Sequence, residues 1–365
     1  MSATTTTNQT TVIPTPSGAR SRVLSMRWII GARDDLVWFI GSVASSYALY
    51  ALYVGGLVPL VPMVAAWAIL IDAPHVFGTF SRTYFDREER RERGRLLWWS
   101  LLFFAVGPVM VVAGLGLVFF FLAALWAYYH LVKQHYGFMV LYKKKNADLA
   151  PIDNALDRFL LLLALTYPFV AFVAHDPQAL ARVPARLAGA LVYLETSLLA
   201  ATVGVAVVWM LRQLQRAVRR QPLDVPKYLL LAACVPMHWL VLLTPMPHKP
   251  IAIVAILTVY HNLQYHRLIW FHNRKYAQGA EARTRHGAAE LISRRVVYYV
   301  AFGVLFGLWY QLPRQYVSHT SGQGAQLTQL VAAFFWGYAF IHYYLDSKIW
   351  RVRRDPSVGK ALRMD

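Results

Sequence analysis

Ten apolar runs of about 20 residues, separated by connections rich in Lys and Arg, constrain this 365-residue chain more than any other feature. A run of that length crosses a hydrocarbon core of about 30 Å as a helix. In lipid the helix also pairs every backbone N–H and C=O within its own segment, which an isolated strand cannot do. The runs lie at about 35–55, 58–80, 96–116, 118–142, 156–174, 189–211, 227–244, 250–272, 294–311 and 327–349. Charged residues make up 15% of the chain and hydrophobic ones 57%, whereas about a quarter of an ordinary soluble domain is charged. The expected fold is therefore all-α, a polytopic integral membrane protein of ten transmembrane helices.

The net charge of +19 sits in the connections. Counted in alternate connections, 31 Lys and Arg fall on one side and only Arg182, Arg186, Lys249 and Arg314 on the other. By the positive-inside rule the richer side is cytoplasmic, which places both termini there, as an even number of spans requires. The expected location is a bacterial cytoplasmic membrane. Residues 1–33 read as a disordered basic cytoplasmic tail, 34–350 as the transmembrane domain and 351–365 as a short basic cytoplasmic tail. The first 22 residues are Thr-rich and lack the apolar core of a secretory signal. Acidic residues interleave the basic ones of RTYFDREERRERGR, so this loop reads as a solvated cap near anionic headgroups, with no nucleic-acid partner. Cys234 is the one cysteine, which excludes an intrachain disulfide and a thiolate metal cluster. Gly303 and Gly307 form a GxxxG helix-packing pattern.

Ionisable groups inside a membrane are expensive enough to need a reason. Of the 12 histidines, His175, His248, His286 and His319 fall in connections and read as solvated. His75, His130, His135, His261, His266 and His342 fall on spans 2, 4, 8 and 10, towards the basic end; the outer half has His238. His75, His135, His266 and His342 precede Arg82, Lys143, Arg274 and Arg351 by seven to nine residues, a shared layer about 10–14 Å deep at 1.5 Å per residue. His130 and His261 lie five residues deeper. Several imidazoles at one depth suit a transition metal, because neutral imidazole binds Fe, Cu, Zn or Ni without a buried negative charge. His75, His135 and His261 are the leading candidate ligands, with His266 and His342 completing the site. Asp72 lies three residues before His75 and Asp346 four after His342. Those spacings put each carboxylate on the face of its histidine, where it can accept the other ring N–H. The pairs 130/135 and 261/266 stand about 140° apart on an α-helix, so one of each is expected as a ligand unless a π-bulge intervenes. Tyr265 shares the His261 face and Gln134 the His130 face.

Pro74-His75, His135-Tyr136-Gly137, His261 with His266 ahead of Leu268-Ile269-Trp270, and His342 with Asp346 resemble, in the same order, elements of the Brp/Blh family of membrane carotenoid oxygenases. The resemblance implies a non-heme iron (Fe2+) held by four histidines, O2 as co-substrate and an apolar substrate entering from the bilayer. The paired histidines are one residue further apart than that family's i,i+4, which puts Tyr265 at the position of the second ligand. His130 and His135 also resemble the first box of di-iron membrane desaturases and hydroxylases, whose HH pairs this sequence lacks. The leading expectation is an iron-dependent membrane oxygenase acting on a lipid or isoprenoid, with an electron donor as a further partner. Tyr265, Asp72 and Asp346 are its candidate catalytic groups, and Phe77, Phe80, Phe138, Ile269 and Trp270 its apolar walls. The alternatives are a di-iron acyl-lipid hydroxylase or desaturase, or a transporter or haem carrier. Paired broken halves, the mark of many transporters, are not evident, and haem ligation uses only one or two histidines.

Overall fold

The computed structural model describes residues 23–277, 282–320, 325–352 and 355–364; residues 1–22 of the expected N-terminal tail lie outside them. Helix dominates, as a chain that must pair its backbone locally requires. Ten long helical segments follow the apolar runs: α1 (Ala32–Val54), α2 (Leu60–Arg82), α3 (Arg87–Val112), α4 (Gly116–Lys145), α5 (Pro151–His175), α6 (Ala185–Val218), α7 (Val225–Leu243), α8 (Lys249–His272), α9 (Val296–Thr320) and α10 (Ala325–Ile349). Among the described residues the only sheet is a two-residue parallel pairing of β1 (Leu24–Ser25) with β2 (Leu223–Asp224).

Eight of these segments are long and apolar enough to cross a membrane; α8 and α10 are not among them. The composition of α8 explains its low hydropathy, since it carries three histidines, Asn262, Gln264 and Arg267. Its burial explains why that is tolerated. Residues all round α8 are buried, from Ala252 and Ile256 to Gln264 and His272, because it packs against α1, α2, α4 and α7. A helix so enclosed presents its polar groups to protein. At the other extreme α6 leaves most of its length exposed and packs chiefly on α5.

Two apolar clusters brace the helices that carry the buried histidines. One joins α4, α5, α7 and α8 through Phe138, Leu161, Leu230, Cys234 and Ile256, and the other joins α2, α8 and α10 through Phe77, Tyr265, Ile269, Ile341 and Leu345. The first extends to Val358 and Leu362, so the C-terminal segment, which reads as a tail in sequence, carries a helix (Pro356–Ala361) and folds back on the bundle. The loop read as a solvated cap is helical from Arg87, capped by Asp86, whose side chain accepts from the Glu88 N–H at 2.9 Å.

Several basic residues that read as surface charges are buried. Lys143 and Lys227 share Asp157; Lys227 also meets Asp148 at 2.6 Å, and Arg216 meets Asp148 at 2.8 Å. The Trp209 indole donates to the other Asp157 oxygen at 2.7 Å. This network ties α4, α5, α6 and α7 at their basic ends. Removing one partner strands the others: Lys227→Met should destabilise the protein by about 3–5 kcal/mol. Arg212→Met, at the exposed edge of the network, should cost about 1 kcal/mol or less. Chemical denaturation in detergent measures both.

α2 changes pitch where it matters. A π segment (Ala68–Asp72) precedes Pro74 and His75, and α9 lies against it through the GxxxG glycines. A Cβ on Gly307 would stand 2.2 Å from the Ile69 carbonyl oxygen, and one on Gly303 would stand 2.9 Å from Pro74 Cβ. The first contact is with backbone, which cannot swing aside. Gly307→Ala should therefore destabilise by about 1–3 kcal/mol, and more than Gly303→Ala, in the same denaturation experiment.

Candidate metal centre

Four of the six candidate histidines that the sequence places on the apolar runs converge. The His75 ring centre lies 4.8 Å from His261, 4.5 Å from His342 and 6.4 Å from His130. The His130 ring lies 5.3 Å from His261 and 4.7 Å from His342. One ligand atom each from His75, His130 and His261 fall within 4.8 Å of one another, and so do those of His130, His342 and Asp346. His75, His261 and His342 are buried and His130 partly so. Nδ1 and Nε2 of His75, Nε2 of His130, Nδ1 of His261 and Nε2 of His342 are buried without a hydrogen-bond partner.

The network behind His342 fixes its tautomer. Thr79 Oγ1 and the Tyr265 hydroxyl both donate to Asp346 Oδ1, at 2.7 and 2.8 Å. With its proton so placed, the Thr79 oxygen accepts at 2.7 Å from Nδ1 of His342, which leaves Nε2 as the bare nitrogen. The Thr79 and Tyr265 oxygens are themselves 2.6 Å apart. Asp346 thus acts on His342 through Thr79, its own oxygen lying 3.8 Å from Nδ1. On the other side Tyr343 stacks on His130 at 4.4 Å. Gln134, one turn after His130, donates to the His261 carbonyl at 2.7 Å and so ties α4 to α8.

Of the remaining sequence candidates, His266 and Tyr265 stand at the edge of the group, their rings 6.2 and 4.5 Å from that of His75, and His135 and Asp72 stand away from it. α4 and α8 are α-helical through their histidine pairs, so residues five apart face different neighbours. His135 turns away from the group, to His238 with ring centres 5.5 Å apart and to Tyr260 at 5.3 Å. His266 has both nitrogens engaged: Nε2 donates to the Ile71 carbonyl at 3.2 Å, and Nδ1 accepts from the Tyr299 hydroxyl at 2.9 Å. Its bonds tie α8 to the π segment of α2 and to α9. Asp72 does not meet His75; its carboxylate accepts from Asn262 Nδ2 at 3.2 Å. Tyr265 gives its hydroxyl to the Thr79 and Asp346 network while its ring packs 4.5 Å from that of His75 and 5.5 Å from that of His342. Of the expected walls, Phe77, Phe80, Ile269 and Trp270 cluster with Tyr265, whereas Phe138 packs on Phe39 at 4.7 Å in the other core. His286, read as solvated, is buried with Nδ1 3.2 Å from Asp86. His175 is exposed, as expected, and meets Glu195 at 2.7 Å; the His319 side chain lies outside the described residues.

Thr79, Asn262 and Tyr299 escape the sequence reading. For Thr79 the signal exists, since it lies one turn after His75. Comparison of the chain with known protein families, with curated proteins and with solved structures gives no match.

The Thr79 hydroxyl makes three contacts in this buried network, and Thr79→Val keeps its shape while removing it. The variant should lose about 1–3 kcal/mol of stability, and Thr79→Ser should recover most of that. Thermal unfolding of detergent-solubilised protein tests both.

Proposed function

We propose that His75, His130, His261 and His342 hold one iron ion, and that the protein is a multi-pass membrane oxygenase acting with O2 on a lipid or isoprenoid. The observation that carries this reading is the set of five imidazole nitrogens, from four helices, buried together with no hydrogen-bond partner. Buried polar groups are normally satisfied, and neutral imidazoles are suited to a first-row transition metal. The resemblance to the Brp/Blh elements favours iron over zinc or copper. His135 and His266 are outside the proposed ligand set, the first by position and the second because both its nitrogens are engaged. Asp346 is left out as well, its Oδ1 already accepting from Thr79 and Tyr265, which favours one ion over two.

Held by these neutral imidazoles with positions left open, iron would supply the binding and reduction of O2, with electrons from a donor partner. The chain supplies the rest. Thr79 holds the proton on Nδ1 of His342 and aims its Nε2 inward, Tyr343 pins the His130 ring, and Asp346 Oδ1 keeps the Tyr265 hydroxyl proton directed away from the group. Phe77, Phe80 and Ile269 offer an apolar wall, so selection rests on length and shape, with each buried methylene contributing about 0.8 kcal/mol. In the proposed topology all ten long helices cross the membrane, α8 and α10 shielded by their neighbours, and both termini are cytoplasmic. Carotenoid cleavage is the version the sequence resemblance supports.

Metal analysis of purified protein is the direct test. About one iron per chain is expected, lost in the His75→Ala, His130→Ala, His261→Ala and His342→Ala variants and retained in His135→Ala, His266→Ala and the His175→Ala control. Thr79→Val, which disturbs only the orientation of His342, should weaken iron binding about 10–100-fold. Unchanged iron in the four alanine variants overturns the site. In a β-carotene-producing host, retinal formation with loss of colour supports cleavage, and altered membrane lipids with intact carotenoid support acyl oxidation instead. Background oxygen consumption by iron-loaded protein with both lipid pools present contradicts the oxygenase reading.

A further inference from the structure

Three of the four helices that bring the histidines together carry a second polar layer on their basic side. Arg82 stands seven residues after His75, Trp350 eight after His342 and His272 eleven after His261. On an α-helix these spacings return to the same face, roughly 10–16 Å further along. Arg82 is completely buried. Its Nη2 donates to the Ile349 carbonyl at 3.2 Å and its guanidinium carbon lies 4.1 Å from the centre of the Trp350 ring. Its Nε and Nη1 have no hydrogen-bond partner, and neither does His272 Nε2; Trp350 Nε1 also lacks one of good geometry and lies towards Tyr265 and Asp346. The His272 ring is 5.5 Å from that of Trp350.

The neighbouring carboxylates are committed elsewhere. Asp86 accepts from the Tyr276 hydroxyl at 3.0 Å and caps α3, Asp355 pairs with Arg93, and Glu89 meets Arg93 Nε at 3.3 Å. Among the described residues no carboxylate lies within ion-pair distance of Arg82, although Glu89 and Asp346 both feel its charge. Just past the end of α8, Lys275 is held below the ordinary lysine range by burial and then by the Arg82 charge, with only Glu89, Asp86 and Asp355 opposing. A buried guanidinium with N–H groups left unpaired is unfavourable, and arginine is the side chain best suited to binding carboxylate and phosphate.

We propose that Arg82, Trp350 and His272 form a buried oxyanion site that takes a carboxylate or phosphate group. The Arg82 and Trp350 N–H groups donate to the oxyanion. His272 Nε2 accepts from a protonated oxygen of the ligand when neutral and donates when itself protonated. The group arrives either as a free anion from the aqueous side or as the headgroup of an apolar chain whose tail lies along the histidine layer above. The site stands on its own donors and does not depend on the metal reading.

The test is thermal unfolding of the full chain in neutral detergent, titrated separately with inorganic phosphate and with dodecanoate, dodecanol serving as the uncharged control. Ligand binding to the folded state raises the midpoint, and a rise of about 4 °C or more is expected with at least one of the two anions and not with dodecanol. A response to phosphate identifies a free oxyanion, and one confined to dodecanoate identifies a tail-bearing ligand. The rise should vanish in Arg82→Gln. Arg82→Lys keeps the charge with fewer donors and should bind at least about tenfold more weakly, with His272→Gln also weakened; these two keep the proposal testable if Arg82→Gln does not fold. In metal-stripped protein the response to phosphate should be unchanged, which separates this site from the proposed metal. No rise with either anion, or an equal rise in the Arg82 and His272 variants, overturns the proposal.

Discussion

An imidazole nitrogen buried without a partner loses its hydrogen bonds to water and gains nothing in return, a loss of about 1–3 kcal/mol for each. Five such nitrogens stand together in one group of this bundle. Much of the surrounding structure serves to hold them in place. Gln134 clamps α4 to the His261 carbonyl, Thr79 orients His342, Tyr343 covers His130, and the Gly303 and Gly307 surface of α9 supports the stretch of α2 that leads into His75. Packing of this quality around unsatisfied donors and acceptors is the arrangement expected of a site prepared for a ligand.

The same constraint explains the design of α8. A helix with this much polar surface is a poor lipid-facing element, and its enclosure by α1, α2, α4 and α7 removes the need for it to be one. Its polar side chains divide the work. His261 enters the group, His266 and Gln264 tie α8 to α2 and α1, Asn262 takes up Asp72, and Arg267 meets Asp34 at 2.7 Å. On the first of these faces His261 Nδ1 is left without a partner. Beneath it, His272 begins the Arg82 layer, so two polar levels are threaded on helices whose outward faces are apolar.

How much of this was legible follows from what each kind of pattern encodes. Apolar runs encode length, so the ten helical segments and the all-α class could be read directly. The confinement of histidines to one half of spans 2, 4, 8 and 10 encodes depth, which was enough to name every member of the group. Depth does not encode azimuth, and so His135 and His266 read as equal to His130 and His261 until the helix faces were seen. The depth scale itself was distorted, because Arg82 and Lys143, which served as surface markers, are buried. Burial of a cation depends on partners distant in sequence, such as Asp157 for Lys143 or the Trp350 ring for Arg82, and local pattern carries no trace of them. Asp72 failed for a related reason: a neighbour across the helix interface, Asn262, claims a carboxylate that spacing alone assigns to His75.

The convergence of His75, His130, His261 and His342 on one ion is the central claim, and a cryo-electron microscopy map of the iron-supplemented protein in detergent tests it most directly. The account predicts a single strong peak among these four rings, with Nε2 of His342 directed at it and Nδ1 still on Thr79. A map in which the four imidazoles bond to one another or to water with no such peak, or in which the peak lies between His135 and His238, would contradict it.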